Sequence, residues 1–386
     1  MFLIWAETFI LTILFVFLVK TFASHIMAWH HLHKSNDPIP TNNPLPPISV
    51  IKPVRGLDQE AAENFLSFIR SGYPESFEVL FSVEDKDDPV VPVIERLMGN
   101  IPFPESVRLI FSQRQDQREM GKTLNLMAGI RESSHEVLVF SDSDVRNTEG
   151  LLQALVRPLS NPQTGLVYAC PAYGGARDWI AGLMALAVNE TILALVGAPS
   201  FTAIGSAMAL RKDVLHAIGG LAPIRHRIGM DAALGRAVRA KGYRIELITQ
   251  PVTIIHTHST FREWWQQMHR WLVTVRCYRN RAYLFALLHA FPIPWATLYL
   301  FLSAYQGRGL RGLGVWSFIC SVRLASLALI NLSFVREQTF WRYLWLAPIL
   351  DLLKIPLWLE GYLNPYVVWR GRRYRVMADA TVRPVS

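Results

Sequence analysis

The pattern of apolar and polar positions changes character several times along the chain. Phe2 to Val19 is an apolar run interrupted only by Glu7. With flanking residues to about Met27 it reaches the roughly 20 residues that a bilayer-spanning helix needs. No positive charge precedes it and no small-residue cleavage site follows, so it predicts a retained anchor rather than a cleaved signal peptide. Ser35 to Pro47 then carries five prolines, which predicts a stiff linker without helix. From Ile48 onward short β-rich runs alternate with helical ones. Ile48 to Lys52, Phe77 to Val83, Val107 to Phe111 and Glu136 to Phe140 read as strands, and Glu60 to Ser71, Val90 to Met98 and Lys122 to Glu132 as helices. Such alternation predicts an α/β fold with a mostly parallel sheet covered by helices. Three apolar blocks close the chain: Tyr283 to Tyr305, broken by Pro292 and Pro294; Val315 to Phe334, containing Arg323; and Phe340 to Tyr362, containing Asp351 and Lys354. The expected division is therefore an anchor (1–34), a linker (35–47), an α/β domain (48–282) and C-terminal membrane segments with a basic tail (283–386).

Composition supports this plan. The chain is 51% hydrophobic and only 18% charged, with a formal net charge of +9, too apolar for an ordinary soluble enzyme. A basic surface suits lipid headgroups, phosphorylated ligands or nucleic acid. There is no zinc-finger spacing and no aromatic RNA-binding signature, so nucleic acid is not expected as a partner. Lys20 and Lys34 after the first run, and Arg276, Arg279 and Arg281 before the C-terminal blocks, place the middle domain on the cytoplasmic side. Three full C-terminal spans would carry the tail Trp369 to Arg375 to the other side, whereas its charge argues for the same side. The third block, with Asp351 and Lys354 inside it, is the one least suited to spanning; alternatively the tail binds lipid headgroups. Cys170, Cys277 and Cys320 are scattered and form no CxxC pair, which argues against a disulfide framework or a structural zinc site.

Ligands of such sheets bind beyond the carboxyl ends of the strands, and the chemistry-bearing residues fall there. Asp142 and Asp144 follow the fourth strand, Asp85 the second, and Lys52 and Arg55 close the first, while Lys122 and Asn125 open the third helix. Two aspartates two apart repel unless a cation sits between them, and Mg²⁺ or Mn²⁺ takes one or two carboxylates together with phosphate oxygens. The plainer alternative is a solvated Asp/Ser turn; the strand context and the neighbouring acids favour the metal. Asp231 opens a later helix, where a carboxylate is held as the anion and can take a proton, or can simply cap. Gln267, Arg270 and Trp271 share one helical face, suited to phosphate and to stacking, although a helix lying on a bilayer also carries Trp and Arg. Trp179 to Gly197 reads equally as the lining of a lipid entrance or as a buried core helix. His256 and His258 alternate along a strand with no third ligand nearby, which predicts a supporting rather than a metal-binding role.

Taken in order, KPVRG at Lys52 to Gly56, GKTLNLM at Gly121 to Met127, Asp85, Asp142, Asp231 and the terminal Gln267/Arg270/Trp271 motif resemble the ceramide glucosyltransferases and their bacterial hopanoid-associated relatives, among the family 2-like glycosyltransferases. The resemblance covers roughly residues 48–275 together with the flanking membrane plan and the basic tail. It implies a GT-A fold and an inverting transfer of sugar from a UDP-sugar to a lipid hydroxyl, in a membrane such as the bacterial inner membrane rather than a Golgi-type one. Asp85 would contact the nucleoside, Asp142 and Asp144 would hold Mg²⁺ or Mn²⁺ and the diphosphate, and Asp231 would be the base. Gln267, Arg270 and Trp271 would close over the diphosphate and acceptor, with Lys52, Lys122 and Asn125 in the donor-binding set. Met230 and Ala232 depart from the pattern, since relatives often carry an acid before the third aspartate and an aromatic after it. Two rivals follow: a polysaccharide synthase, which would need more membrane helices for an export channel, and an inactive scaffold that has kept the fold. The sequence carries no signal for oligomeric state.

Overall fold

A computed structural model of the chain describes residues 1–34, 44–101, 104–196, 203–255 and 260–385. Residues 35–43 of the expected linker, and His256 and His258, lie outside the described residues. In chain order the strands are β1 (Ile48–Val54), β2 (Phe77–Val83), β3 (Val107–Phe111), β4 (Val137–Ser141), β5 (Val145–Arg146), β6 (Thr164–Tyr168), β7 (Pro171–Tyr173), β8 (Ala207–Arg211), β9 (Arg244–Leu247), β10 (Val252–Ile254), β11 (Tyr366–Trp369), β12 (Arg372–Val376) and β13 (Val382–Pro384). The α-helices are α1 (Phe2–Lys34), α2 (Ala61–Ile69), α3 (Val91–Met98), α4 (Gly121–Glu132), α5 (Leu151–Val156), α6 (Trp179–Asn189), α7 (Thr191–Val196), α8 (Lys212–Ala217), α9 (Met230–Ala240), α10 (Phe261–Tyr278), α11 (Asn280–His289), α12 (Pro292–Tyr305), α13 (Gly309–Ile330), α14 (Phe340–Tyr343) and α15 (Ala347–Leu363).

The main sheet has the order β3-β2-β1-β4-β8-β6-β9. β1 to β4 run parallel, β9 runs parallel to β6, and only β8 opposes both its neighbours. This is the mostly parallel α/β architecture that the alternation and the GT-A resemblance imply. Every residue of β1 and β4 is buried, as expected where helices cover both faces and the strands read as continuous apolar runs. The register sets Ile51 of β1 between Leu80 and Phe140, which aligns the carboxyl ends of β1, β2 and β4 along one edge. Over that edge stands the start of α4. The helix closes on the sheet because Gly129 has no side chain: a Cβ there would lie 2.4 Å from Cγ2 of Ile51. A second, three-stranded sheet, β5-β10-β7, continues beyond β4 and fixes the aspartate turn, where the Ile255 N–H donates to the Asp144 carbonyl at 2.8 Å.

Among the described residues four stretches are helical, long and apolar enough to cross a membrane: Leu3–His33, Trp179–Val196, Asn280–Tyr305 and Gly309–Val335. Ile10, Leu14 and Phe17 of α1 pack with Ala296, Tyr299 and Ile319 of α12 and α13. The Glu7 interruption is paired with Arg308 at 2.9 Å and Arg311 at 3.2 Å. Trp179–Val196 is mostly buried inside the protein, and Tyr343 packs where Gly182 leaves room, so it is a core helix. The third C-terminal block is not one long span. It breaks into α14, a 3-10 turn (Leu344–Leu346) and α15, with Pro356 inside the last. Its charges are consumed internally: Arg323 pairs with Asp351 at 2.9 Å, Lys354 with Asp351 at 3.3 Å, and Glu190 with both cations. Ions at membrane depth are tolerated when they neutralise one another in this way.

The basic tail forms a separate sheet, β11-β12-β13, seated on the α/β domain. The Val382 N–H donates to the His226 carbonyl and the Ile228 N–H to the Ala380 carbonyl, each at 2.9 Å. The tail therefore lies on the domain's own side, and two of its arginines, Arg370 and Arg372, approach the domain carboxylates Asp58 at 3.3 Å and Glu84 at 3.6 Å.

Candidate active site

The turn after β4 is the centre of the site. Asp142 is held from both ends by lysines. Lys52, at the end of β1, donates from Nζ to the Ser141 hydroxyl at 3.0 Å and to the Asp142 carbonyl at 2.8 Å. It lies 3.8 Å from the centre of the Phe68 ring. Burial pushes Lys52 down to about 7, against the attraction of Asp142, Asp144 and Asp58. Lys122, on the first turn of α4, reaches the Asp142 carboxylate at 2.5 Å and the Gly205 carbonyl at 3.2 Å. Burial opposes its charge, yet Asp142 and Asp231 together hold it above its ordinary range.

Asp231, on the first turn of α9, accepts from the Gly205 N–H at 2.8 Å. Gly205 thus joins Asp231 to Lys122, and Lys122 carries the link on to Asp142. A Cβ there would lie 2.9 Å from the lysine Nζ and 3.1 Å from Cβ of Asp231, so the close gathering depends on glycine. Asp231 does not cap its helix with its side chain: the N-cap is Gly229, in the left-handed region at φ 67° and with no side-chain cap bond. The simple capping role is thereby removed.

Asp144, half-buried, follows Asp142 two residues on in the same turn. Burial, then the charges of Asp142 and Asp58, raise its carboxyl above the ordinary range. Asp142 is likewise raised by burial, which outweighs its pair with Lys122. Among the described residues no three His, Cys, Asp or Glu side chains gather as an all-protein metal cage. Two half-buried carboxylates, two apart in one turn and with the charge of Asp142 raising Asp144, fit a hard divalent ion that completes its shell with water and phosphate oxygens.

The opposite wall comes from α10. Its capping box, with Thr260 accepting from the Glu263 N–H and Glu263 accepting from the Thr260 N–H, each at 3.2 Å, starts the helix at Phe261. One helical face then presents Gln267 and Arg270, joined at 2.6 Å, with Trp271 partly buried against the core. Arg270 lies 5.0 Å over the Trp369 ring. Burial and the nearby Arg370 lower it to about 10, while Asp231, Asp142 and Asp144 pull the other way.

Two expected residues stand apart from this cluster. Asp85 is exposed past β2, two strands from β4, and its carboxylate accepts from the Asp87 N–H at 3.0 Å. Asn125 is buried, taking the Ser112 hydroxyl at 2.6 Å and donating to the Val54 carbonyl at 3.1 Å. Its amide ties the ends of β1 and β3 instead of facing the open site. Sequence reasoning missed Asp58, Gly205 and Arg370. Asp58 takes the Ser143 hydroxyl at 2.5 Å and Arg370 at 3.3 Å. The signal for Arg370 was present: YVVW and RRYRV flanking Arg-Gly read as a β-hairpin.

A family model described as "Glycosyl transferase family 21" matches residues 12–382. Ceramide glucosyltransferase 1 of Caenorhabditis elegans is 23% identical over 95% of this chain and 80% of its own length. Ceramide glucosyltransferase 3 of the same organism is 23% identical over 69% of this chain and 58% of its own length. Among solved structures, a mannosyltransferase from Pyrobaculum calidifontis in complex with GDP-Man and Mn²⁺ aligns at a TM-score of 0.49 and 15% identity, over 92% of this chain and 99% of that one.

Proposed function

The chain belongs to glycosyl transferase family 21, and from that premise we propose that it moves a sugar from a UDP-sugar to the hydroxyl of a membrane lipid, a ceramide-like sphingolipid or a hopanoid, with inversion. The observation that carries this reading is the chain of contacts from Asp231 through Gly205 and Lys122 to Asp142, within range of the Arg270 charge. The helix that bears Arg270 is joined to the apolar helices, since Trp265 of α10 donates to Glu360 of α15 at 2.6 Å. On this reading the acceptor hydroxyl approaches from the side of those helices. The basic residues flanking the apolar segments favour a cytoplasmic catalytic domain on a membrane such as the bacterial inner membrane.

Asp142 and Asp144 are the residues that would hold Mg²⁺ or Mn²⁺. A bound divalent ion supplies positive charge to the departing diphosphate. Arg270, stripped of water, pairs with the same oxygens and is worth more there than at a surface. Asp231, oriented by the Gly205 N–H, takes the proton of the acceptor hydroxyl. The acceptor oxygen bonds to the anomeric carbon as the carbon–phosphate oxygen bond breaks on the opposite face, so a single displacement inverts the centre. Lys122 balances the aspartates before the donor arrives, and Lys52 fixes the turn from below. Asp85, at the same sheet edge, is free to meet the nucleoside, while Gln267 orients Arg270.

The test is mass spectrometry of lipids after incubating the purified full chain with UDP-glucose, ceramide and Mn²⁺. One hexose per lipid is expected. Asp142→Asn should lower the rate about 10²–10³-fold and Asp231→Asn about 10²–10⁴-fold. A polymer would move the assignment to a polysaccharide synthase, and rates unchanged in both variants would remove the catalytic assignment.

A further inference from the structure

We propose that Arg370, at the tip of the C-terminal hairpin, is a second arginine for the donor diphosphate, so that the tail forms one wall of the donor site. The inference rests on the nucleotide-sugar reading above. Arg370 and Gly371 form the two-residue turn between β11 and β12, with φ of 47° and 77°. Turns of this kind favour Asn, Asp or Gly at the first position, and a long side chain in the left-handed region is uncommon. Backbone preference therefore does not account for the arginine.

Nor does anchoring of the tail. β13 and the loop before it are held to the domain by the Ile228 and Val382 backbone bonds, and Arg372 lies 3.6 Å from Glu84. Arg370 itself meets Asp58 through contacts of 3.3–3.5 Å, long for a charged pair. Asp58 is also bound by Ser143 at 2.5 Å. The guanidinium thus has donors to offer an anion. It lies against Gly56 of the KPVRG loop, 3.8 Å from where a Cβ would be. Its neighbour Trp369 sits beneath Arg270, and its charge bears on both Arg270 and Asp144. Two arginines from separate elements, joined through Trp369 and near enough for their charges to oppose each other, both act on the carboxylates that would hold a metal. A diphosphate with its cation satisfies both.

Calorimetric titration of the full chain in detergent micelles with Mg²⁺–UDP and with Mg²⁺–pyrophosphate tests the assignment. Arg370→Asn should weaken both ligands roughly ten- to a hundredfold, with Tm unchanged or raised because Asn suits the turn; Arg370→Lys should fall between. Wild-type affinity for pyrophosphate in Arg370→Asn would overturn the inference. So would a lowered Tm in Arg370→Asn combined with wild-type binding in Arg370→Lys, which would make the residue structural. A wild-type chain that binds pyrophosphate but not UDP would defeat the donor reading alone, and the pyrophosphate comparison would still decide the role of Arg370. Binding of neither ligand would overturn both.

Discussion

Three carboxylates at the sheet edge each keep their own donors, and those contacts explain which residues matter. Asp142 keeps Lys122, Asp231 keeps the Gly205 N–H, and Asp58 keeps Ser143 and Arg370. A glycine-to-alanine change at Gly205 should therefore act like a catalytic lesion: its Cβ would push Lys122 and Asp231 apart, and lipid glycosylation should fall at least tenfold with folding kept, read by product mass spectrometry and far-UV circular dichroism. Away from the chemistry, Glu84 is held below its ordinary range, chiefly by its hydrogen bonds from Arg114 at 2.6 and 2.7 Å, with burial acting against them. Its folded-state value lies below its unfolded one. It therefore adds stability above the ordinary glutamate range, and that stability is lost as pH falls through the lowered value. Glu84→Gln should flatten the acid limb of a Tm-against-pH curve and leave the neutral-to-alkaline limb with the wild-type slope. Asp142, Asp144 and Asp231 were legible because acids at strand ends and helix starts have a chemical reason to be there. Asp58 was not, because the pair it makes with Arg370 spans 312 positions and no local pattern encodes it.

Elements were legible where their period was strong. The fully buried strands β1 and β4 stand within a residue or two of their expected bounds. The antiparallel insertion of β8 was not legible, since strand order follows from long-range pairing. Charges inside the apolar blocks were ambiguous for a similar reason: besides the Lys354–Asp351 pair within α15, Arg323, Asp351, Lys354 and Glu190 have partners far away in sequence. Asp351 is fully buried, so Asp351→Ala leaves Arg323 and Lys354 with one carboxylate between them. Breaking a buried pair from one side costs about 3–5 kcal/mol, and thermal unfolding in detergent should show a marked fall in Tm. Arg323→Leu combined with Asp351→Leu should recover much of that loss.

The whole molecule brings three separated parts of the chain to one volume: an α/β domain, apolar helices from both ends, and a C-terminal hairpin that returns to the domain. The hairpin reconciles the tail's charge with its position, because part of that charge is spent on the site. On the proposed reading, lipid, nucleotide and protein charge would meet at a single edge of the sheet, which is the arrangement that transfer from a soluble donor to a membrane acceptor requires. The most direct measurement is lipid-dependent UDP release by Asp231→Asn set beside that by the wild-type chain. A rate reduced at least a hundredfold, with Mg²⁺–UDP still bound to within about threefold of wild type, is the predicted result. Release at the wild-type rate from Asp231→Asn would contradict it.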